Sequence, residues 1–258
     1  MNRAALVVAC LWLCVSLALG GIIEQRVLAP SVTVSCGYGT GSGVIFTRGD
    51  RCFVLTAGHV VAGLREVVTK LEEGTEKKYE SFKDAAIAVI LYEGDRKVGK
   101  VEMDAEVLAY SEATNAEDLA LLEIRKKAFI QETAVFKSDD AAVPIGVPIY
   151  HCGSLQGELG SNSLTNGIIS RVGRVVAGKV FDQSTATAFR GSSGGGVFTE
   201  GGEYVGMITL GAGETFNLFI PSRRILVWLK AVGYEWVVRP ALSIPSSKPE
   251  LKNDTMKK

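Results

Sequence analysis

From residue 31 to residue 221 the chain is a succession of short apolar segments separated by turns, and this pattern restricts the possible folds most strongly. The segment SVTVSC alternates apolar and polar residues, as a half-buried strand does. The segment GSGVIFTRGDRCFVLTAGHVV predicts a hairpin with residues 48–50 as its turn. Further strands are predicted in AAIAVILYE, VEMDAEVLAYS, LALLEI, VPIYHCG, LTNGIISRVGRVV, GGVFTEGGEYVGMITLG and FNLFIP. Many short strands at close spacing favour sandwiches or barrels over βαβ units.

One helix is predicted, and it comes late in the chain. Pro221 and Ser222 open the segment RRILVWLKAVG, in which apolar residues recur on one helical face. Gly233 then provides a C-terminal stop. Residues 72–84 are rich in charge and predict a surface insertion.

The two ends of the chain do not share this pattern. Residues 1–20 combine a basic start at Arg3, an apolar run and small closing residues, which is typical of a secretory signal peptide cleaved after Gly20. The apolar run is slightly short for a membrane span, and an uncleaved membrane anchor is the alternative. Residues 239–258 are rich in Pro, Ser and Lys, and predict a disordered tail. We therefore expect an exported protein, periplasmic or extracellular.

Charge and cysteine content exclude some function classes. The chain has 28 basic and 28 acidic residues, so it carries no excess charge for nucleic acid or an anionic membrane surface. Removal of residues 1–20 would leave three cysteines, of which Cys36 and Cys52 lie on neighbouring predicted strands and could pair. His151 and Cys152 are adjacent on a predicted strand and point to opposite faces, so we expect no metal site there.

The segment FRGSSGGGVF places Ser192 and Ser193 among four glycines inside a β-rich region. A serine hydroxyl becomes a good nucleophile only when a neighbouring base takes its proton. The chain has two histidines, His59 and His151, and both precede these serines.

The order of these residues discriminates between scaffolds. Residues 191–195 fit the G-x-S-x-G elbow of α/β-hydrolases, but in those enzymes the histidine follows the serine and a helix follows the elbow. The subtilisin order, Asp, His, Ser in an α/β fold, is also absent. What remains is His, Asp, Ser on a β scaffold.

Three segments then resemble the catalytic segments of chymotrypsin-like (trypsin-like) serine proteases: LTAGHV around His59, DLALLEI from Asp118, and RGSSGGG around Ser193. The segments GSGVIF, LTNGIISRVGR and FNLFIPSRRI resemble the HtrA/DegP branch, and the resemblance extends over residues 31–238. It implies an all-β fold, a double six-stranded β-barrel of the chymotrypsin type with a C-terminal helix. Residues 21–135 would form the barrel carrying His and Asp, and residues 136–238 the barrel carrying Ser and the helix.

The resemblance also implies catalytic roles. Ser193 would be the nucleophile, and His59 would be general base and then general acid. Asp118 would orient the imidazole and stabilise its cation. The N–H groups of Gly191 and Ser193 would form the oxyanion hole. No cofactor and no metal is expected for this chemistry.

A substrate pocket follows from the same resemblance. Thr209, Leu210 and Gly211 would border the pocket for the residue before the cleaved bond, with Thr187 and Ala188 as its floor and wall. Because Thr187 is not an acid, we expect small to medium apolar side chains there rather than Arg or Lys.

Two departures from the resembled proteins bear on regulation. Digestive trypsin-like enzymes carry an acid where this chain has Ser192, so we expect no activation by a salt bridge there. HtrA proteins carry a PDZ domain after the protease core, and we expect no room for one in this chain.

Two classes of function remain open. The first is a secreted serine endopeptidase acting on polypeptides, and the second is an inert protease-fold module that binds peptides or a protein partner. The presence of His59, Asp118 and Ser193 together favours the first.

Overall fold

The computed structural model describes residues 21–37, 39–72, 75–93, 96–114, 117–137, 139–211, 215–245 and 247–249. The predicted signal peptide, residues 1–20, lies outside the described residues. No helix within these ranges is long and apolar enough to cross a bilayer.

The first half of the chain forms a closed six-stranded barrel, which the alternating segments predicted. Its strands, in the order in which they pair, are β1 (Ser31–Ser35), β2 (Thr40–Arg48), β3 (Arg51–Ala57), β8 (Leu119–Ile124), β7 (Arg96–Tyr110) and β6 (Ala85–Glu93). Neighbouring strands are antiparallel. The interior is filled by large apolar side chains such as Ile45, Leu55 and Leu121, all 0% exposed. Such burial is the main stabilising contribution, at about 1.5–3 kcal/mol for each large side chain.

The second half forms a second antiparallel sheet that closes on itself. Its strands, in sheet order, are β13 (Gly196–Thr199), β10 (Pro148–Leu155), β11 (Gly160–Val176), β12 (Lys179–Ser184), β15 (Asn217–Pro221) and β14 (Glu203–Gly211). Pairing of β13 with β14 completes the ring. The short strand β9 (Val135–Phe136) lies parallel to β14 at the edge. The predicted two-barrel, all-β fold is therefore confirmed.

Helices are few. The single turn α1 (Gly58–Val61) follows β3 directly, and α2 (Ser222–Ala231) follows β15 where a C-terminal helix was predicted. The buried face of α2 contains Ile225, Trp228 and Leu229. Shorter turns of π- or 3₁₀-helix occur at Glu24–Leu28, Ala62–Leu64, Gly157–Leu159 and Glu235–Val237.

An aromatic cluster joins the two barrels. The ring of Phe46 on β2 meets the ring of Tyr204 on β14 edge to face, with centroids 5.3 Å apart, and Phe136 and Phe198 pack against the same tyrosine. Aromatic pairs of this geometry contribute about 0.5–1.5 kcal/mol beyond the burial of their area. The cluster therefore fixes how the first barrel sits against the second, which matters because the predicted catalytic residues come from both.

Two segments differ from their sequence-based interpretation. The charged insertion belongs to a longer hairpin in which β4 (Arg65–Glu72) pairs with β5 (Thr75–Phe82) as a separate two-stranded sheet. The tail expected to be disordered from residue 239 makes contacts in its described part: the Leu242 carbonyl accepts a bond from Arg48 at 2.6 Å, and Lys248 pairs with Glu106 and Glu123. These partners lie more than a hundred residues away, so local composition gave no sign of them.

The three cysteines beyond residue 20 are buried and free: Cys36, Cys52 and Cys152. The pairing of Cys36 with Cys52 that their neighbouring strands allowed is not formed.

Candidate active site

His59 and Asp118 lie side by side on the first barrel. His59 is in α1, the turn after β3, and Asp118 immediately precedes β8, which pairs with β3. The Nδ1 atom of His59 is 3.0 Å from both carboxylate oxygens of Asp118, and the His59 N–H donates to Oδ1 at 2.9 Å. Because a carboxylate accepts, Nδ1 carries the proton and Nε2 is left free to accept one.

The environment of Asp118 keeps it ionised. Its side chain is only 12% exposed, and burial alone would raise the pKa of this carboxyl. Hydrogen bonds and charge from His59, together with a hydrogen bond from the hydroxyl of Thr209, outweigh burial and lower the pKa of Asp118 below its usual value. Asp118 also adopts a left-handed backbone conformation, with φ at 57°. Aspartate tolerates this conformation better than most residues.

The two adjacent serines have different surroundings. Ser192 is 1% exposed, and its hydroxyl accepts the N–H of Phe189 at 3.1 Å, so it completes a turn of the loop. Ser193 is partly exposed, and within the described residues its hydroxyl makes no hydrogen bond. Ser193 therefore has the hydroxyl that a ligand can reach.

The loop around Ser193 has two unpaired backbone N–H groups. The carbonyl of Arg190 accepts the N–H of Gln156 at 2.6 Å, and the carbonyl of Ser192 accepts the N–H of Gly195 at 2.8 Å. In a trans peptide the N–H points opposite to the C=O, so the N–H groups of Gly191 and Ser193 point the other way. Among the described residues, neither has an acceptor. Two free N–H donors on one loop are the kind of group that can bind an anionic oxygen.

Ser42 on β2 holds this loop from the first barrel. Its hydroxyl donates to the Gly191 carbonyl at 2.6 Å and accepts the N–H of Ser154 at 2.7 Å. Its backbone N–H donates to the Ser193 carbonyl at 2.8 Å. The loop on the second barrel is thereby fixed against the barrel that contains His59. The sequence analysis did not identify Ser42 as a site residue. The signal that pointed to it was its position in GSGVIF, one of the segments that resemble the HtrA/DegP branch.

Ser193 and His59 lie in the same cleft. Both line a cavity of about 400 Å³, together with Gly191 and Arg190 from the loop and Cys36 from the first barrel. Among the described residues there is no hydrogen bond between the Ser193 hydroxyl and His59. Catalytic hydrogen bonds are often long before substrate binds.

Next to Ser193 lies a second cavity, of about 320 Å³, lined by Ala188, Phe189, Arg190, Ser193, Ile208, Thr209 and Gly211. Three of the five residues predicted to form the substrate pocket are therefore brought together here. Leu210 lines the adjoining cavity that contains His59 and Asp118. Thr187 lines none of these cavities, and its carbonyl accepts the hydroxyl of Thr165 at 2.8 Å.

A larger cavity, of about 640 Å³, lies beside α2 and contains none of the predicted catalytic residues. It is lined by side chains such as Lys179, Val227 and Trp228. The cleft is the candidate active site rather than this cavity, because in the described part of the chain its two adjoining cavities bring His59 together with Asp118 and with Ser193.

His151 lies outside the cleft. It is fully buried, and its Nδ1 is 3.0 Å from the carbonyl of Gly196. Burial lowers the pKa of His151 to about 4, so this imidazole is neutral at physiological pH. No group of three His, Cys, Asp or Glu side chains in the described ranges could hold a metal ion.

Two closed barrels, with a histidine–aspartate pair on one and a serine in a glycine-rich loop on the other, define the chymotrypsin type of fold and site. The family model for the trypsin-like peptidase domain matches residues 41–207. The chain therefore belongs to the trypsin-like peptidase family.

Its relatives include serine proteases of the HtrA type. The chain is 28% identical over 186 residues to the serine endoprotease DegS of Haemophilus influenzae, covering 69% of this chain and 43% of that protein. It is 27% identical over 180 residues to the periplasmic pH-dependent serine endoprotease DegQ of Escherichia coli, covering 66% of this chain and 31% of DegQ. The chain thus spans less than half the length of these relatives.

Solved structures share the fold. A structure described as an HtrA-type protease with tripeptide matches with a TM-score of 0.59 at 21% identity, over 86% of this chain and 64% of that one. The serine endoprotease from Yersinia pestis matches with the same TM-score and identity, over 86% of this chain and 66% of that one.

Proposed function

We propose that the chain is an exported serine endopeptidase that hydrolyses polypeptides through an acyl-enzyme intermediate. One observation carries this proposal: a free serine hydroxyl, two unpaired backbone N–H groups and an aspartate-bound imidazole lie around one cleft. Export is supported by the names of relatives that are called periplasmic.

The reaction begins at Ser193. Its oxygen attacks the carbonyl carbon of the substrate peptide while Nε2 of His59 takes the hydroxyl proton. The carbonyl oxygen becomes an anion and accepts the N–H groups of Gly191 and Ser193. Asp118 holds the imidazole through Nδ1 and stabilises the imidazolium that forms.

The tetrahedral intermediate then collapses. His59 donates its proton to the departing amine, the C–N bond breaks, and the acyl group remains on Ser193. Water enters, His59 takes its proton, and the resulting hydroxide attacks the ester carbonyl. The ester C–O bond then breaks, His59 returns its proton to the Ser193 oxygen, and the carboxylic acid leaves.

The side chain before the cleaved bond would enter the cavity lined by Ala188, Ile208 and Gly211. The lining of this cavity includes one base, Arg190, and no acid, which argues against a basic substrate residue and supports a small to medium apolar one. Leu210, next to His59 and Asp118, would border the path of the preceding substrate residues.

A fluorophosphonate probe tests the proposal directly, because it forms an adduct only with an activated serine. We expect labelling of the wild-type protein at Ser193, and none of the Ser193→Ala variant. The Ser192→Ala variant should still be labelled. Folded wild-type protein without an adduct would instead favour an inert module that binds peptides.

A further inference from the structure

The cavity of about 640 Å³ beside α2, here called the α2 cavity, adjoins the active-site cleft. Two side chains, Lys179 and Arg224, line both the α2 cavity and the cavity that contains His59 and Asp118. These two side chains form the border between the two spaces. The α2 cavity is therefore a continuation of the cleft along the surface of the second barrel.

The lining of the α2 cavity is largely apolar. Its apolar residues are Val180, Pro221, Val227, Trp228 and Ala231. Of these, Val227 is 70% exposed and Val180 is 39% exposed. Ligand sites are typically concave, lined mainly by apolar side chains with a few polar groups, and about 300–1,000 Å³ in volume. The α2 cavity has these properties.

One positive charge in this lining is not neutralised. Arg223 is paired with Asp182, and Arg224 is paired with Glu117. Lys179 forms no ion pair within the described part of the chain. The ammonium group available to a ligand therefore belongs to the residue at the border of the two cavities.

The cleft and the α2 cavity follow one another along the path of a substrate chain. Leu210 lines the same cavity as Lys179, and in the proposed function it borders the path of the residues that precede the cleaved bond. A chain that continues past Leu210 meets Lys179 first and the apolar lining next. Asp140, an exposed carboxylate, lines only the α2 cavity and would repel an acidic side chain placed further out.

We propose that the α2 cavity is an exosite for the polypeptide substrate itself. It binds an apolar side chain several residues upstream of the cleaved bond, and Lys179 pairs with an acidic side chain that lies between this apolar residue and the cleaved bond. The inference rests on the proposed function, and it identifies a sequence feature by which the enzyme would select its substrates.

Peptides that share one cleavable core and differ in an N-terminal extension test the inference when they compete in one tube. An extension of about eight residues spans at most about 26–29 Å when fully extended. One peptide carries only Ala in the extension, and the others carry a Leu-Asp pair moved along it one residue at a time. We expect one position of the pair to raise kcat/KM at least about tenfold over the all-Ala peptide, as burial of a leucine side chain would give.

Val227→Asp should remove this gain, because it places a charge in the apolar lining. Val98→Asp is the matched control, since Val98 is a 48% exposed valine on β7 that lines neither the α2 cavity nor the cleft. The control should keep the gain. Lys179→Glu should lower the gain from Leu-Asp and raise that from Leu-Lys, each by about two- to fivefold.

A competition ratio does not depend on how much of the enzyme is folded, so a destabilised variant still gives an answer. The exosite is rejected if no position of the pair gives a gain, or if Val227→Asp keeps it. It is also rejected if a free Leu-Asp peptide, added separately, accelerates cleavage of the unextended core, because the occupant would then be an effector.

Fluorophosphonate labelling separates the two levels of failure. Labelled wild-type protein that cleaves all the peptides equally rejects the exosite alone. Unlabelled wild-type protein that cleaves none of them rejects the proposed function and the inference with it.

Discussion

Arg224 on α2 binds Glu117, the residue immediately before Asp118, through both the side chain and the main-chain carbonyl of Glu117. The same guanidinium donates to the carbonyl of Val180 at 3.2 Å and stacks over the ring of Phe181 at 4.7 Å. A helix of the second barrel therefore holds the loop that presents the carboxylate of the first.

Replacing Arg224 should impair catalysis more than stability. In Arg224→Met we expect kcat/KM to fall about 10- to 100-fold, because a small displacement of a reacting group is enough for such a loss. The pH profile of kcat/KM should change as well, since Asp118 acts through His59. Steady-state kinetics with a peptide substrate from pH 5 to 9 measures both.

The neighbouring Arg223 is the matched control. It forms a bidentate pair with Asp182, whose side chain is 3% exposed. Arg223→Met leaves this buried carboxylate without its cationic partner, with only the N–H of Gly173 still donating to it, so the free energy of unfolding should fall by about 3 kcal/mol while the folded enzyme keeps its kcat. Equal effects of the two substitutions on kcat would contradict a positioning role for Arg224.

The two serines of the loop should differ sharply on mutation. Ser193→Ala should reduce kcat about 10⁶-fold without unfolding the protein, as expected for removal of a nucleophile. Ser192→Ala should keep most of the activity and lower the free energy of unfolding by about 1–3 kcal/mol, because it leaves the Phe189 N–H without its acceptor. Steady-state kinetics and urea denaturation of both variants test this. If Ser192→Ala lost the activity and Ser193→Ala lost only stability, Ser192 and not Ser193 would be the nucleophile.

Thr209 should contribute to stability only where Asp118 is ionised. The folded state lowers the pKa of Asp118, so this group stabilises the protein above its unfolded pKa of about 3.9, and the contribution is lost as the pH falls through the folded value. Thr209→Val removes one donor to the carboxylate and should cost about 1–3 kcal/mol at pH 7. Urea denaturation should show the difference shrinking at acid pH, with Thr209→Ser close to wild type throughout.

Protonation of the buried His151 imidazole should make the free energy of unfolding depend on pH in a different range. Its pKa is lowered from 6.5 to about 4 by burial, so the unfolded chain binds the proton more tightly. The free energy of unfolding therefore has its full value above pH 6.5, and it falls by about 3 kcal/mol as the pH drops to about 4. In His151→Gln, whose amide can still donate toward Gly196, the free energy of unfolding should lose this slope. Parallel curves for wild type and variant between pH 4 and 7 would contradict the prediction.

Gly191 should not tolerate a side chain. Its φ is +91°, and a Cβ there would lie 2.1 Å from the carbonyl oxygen of Ser154. Gly191→Ala should therefore displace one oxyanion donor and lower kcat about 10²- to 10³-fold. Gly178 has a similar φ of +76° with nothing near its Cβ position, so Gly178→Ala should strain the backbone without affecting kcat. Equal kcat values for the two variants would argue against the assigned donor.

The sequence was sufficient to predict the parts of the structure that local pattern determines. Alternation of apolar residues predicted most barrel strands, and Pro221, Ser222 and Gly233 marked the ends of α2 within two residues. The segments around His59, Asp118 and Ser193 were recognisable as sequence, and the structure brings all three to one cleft.

Contacts between distant segments could not be predicted in this way. The bond from Thr209 to Asp118 joins residues 91 apart, and that from Ser42 to Gly191 joins residues 149 apart. Neither hydroxyl belongs to a local pattern that would distinguish it from a surface threonine or serine.

The attachment of the Ser193 loop to Ser42 on β2 has a consequence for how the protein is made. The imidazole and the carboxylate come from the first barrel, but the second barrel supplies the alcohol, its two N–H donors and the bonds from Thr209 and Arg224 that hold Asp118 and its loop. The complete set of reacting groups is therefore assembled only when the last half of the molecule has docked against β2.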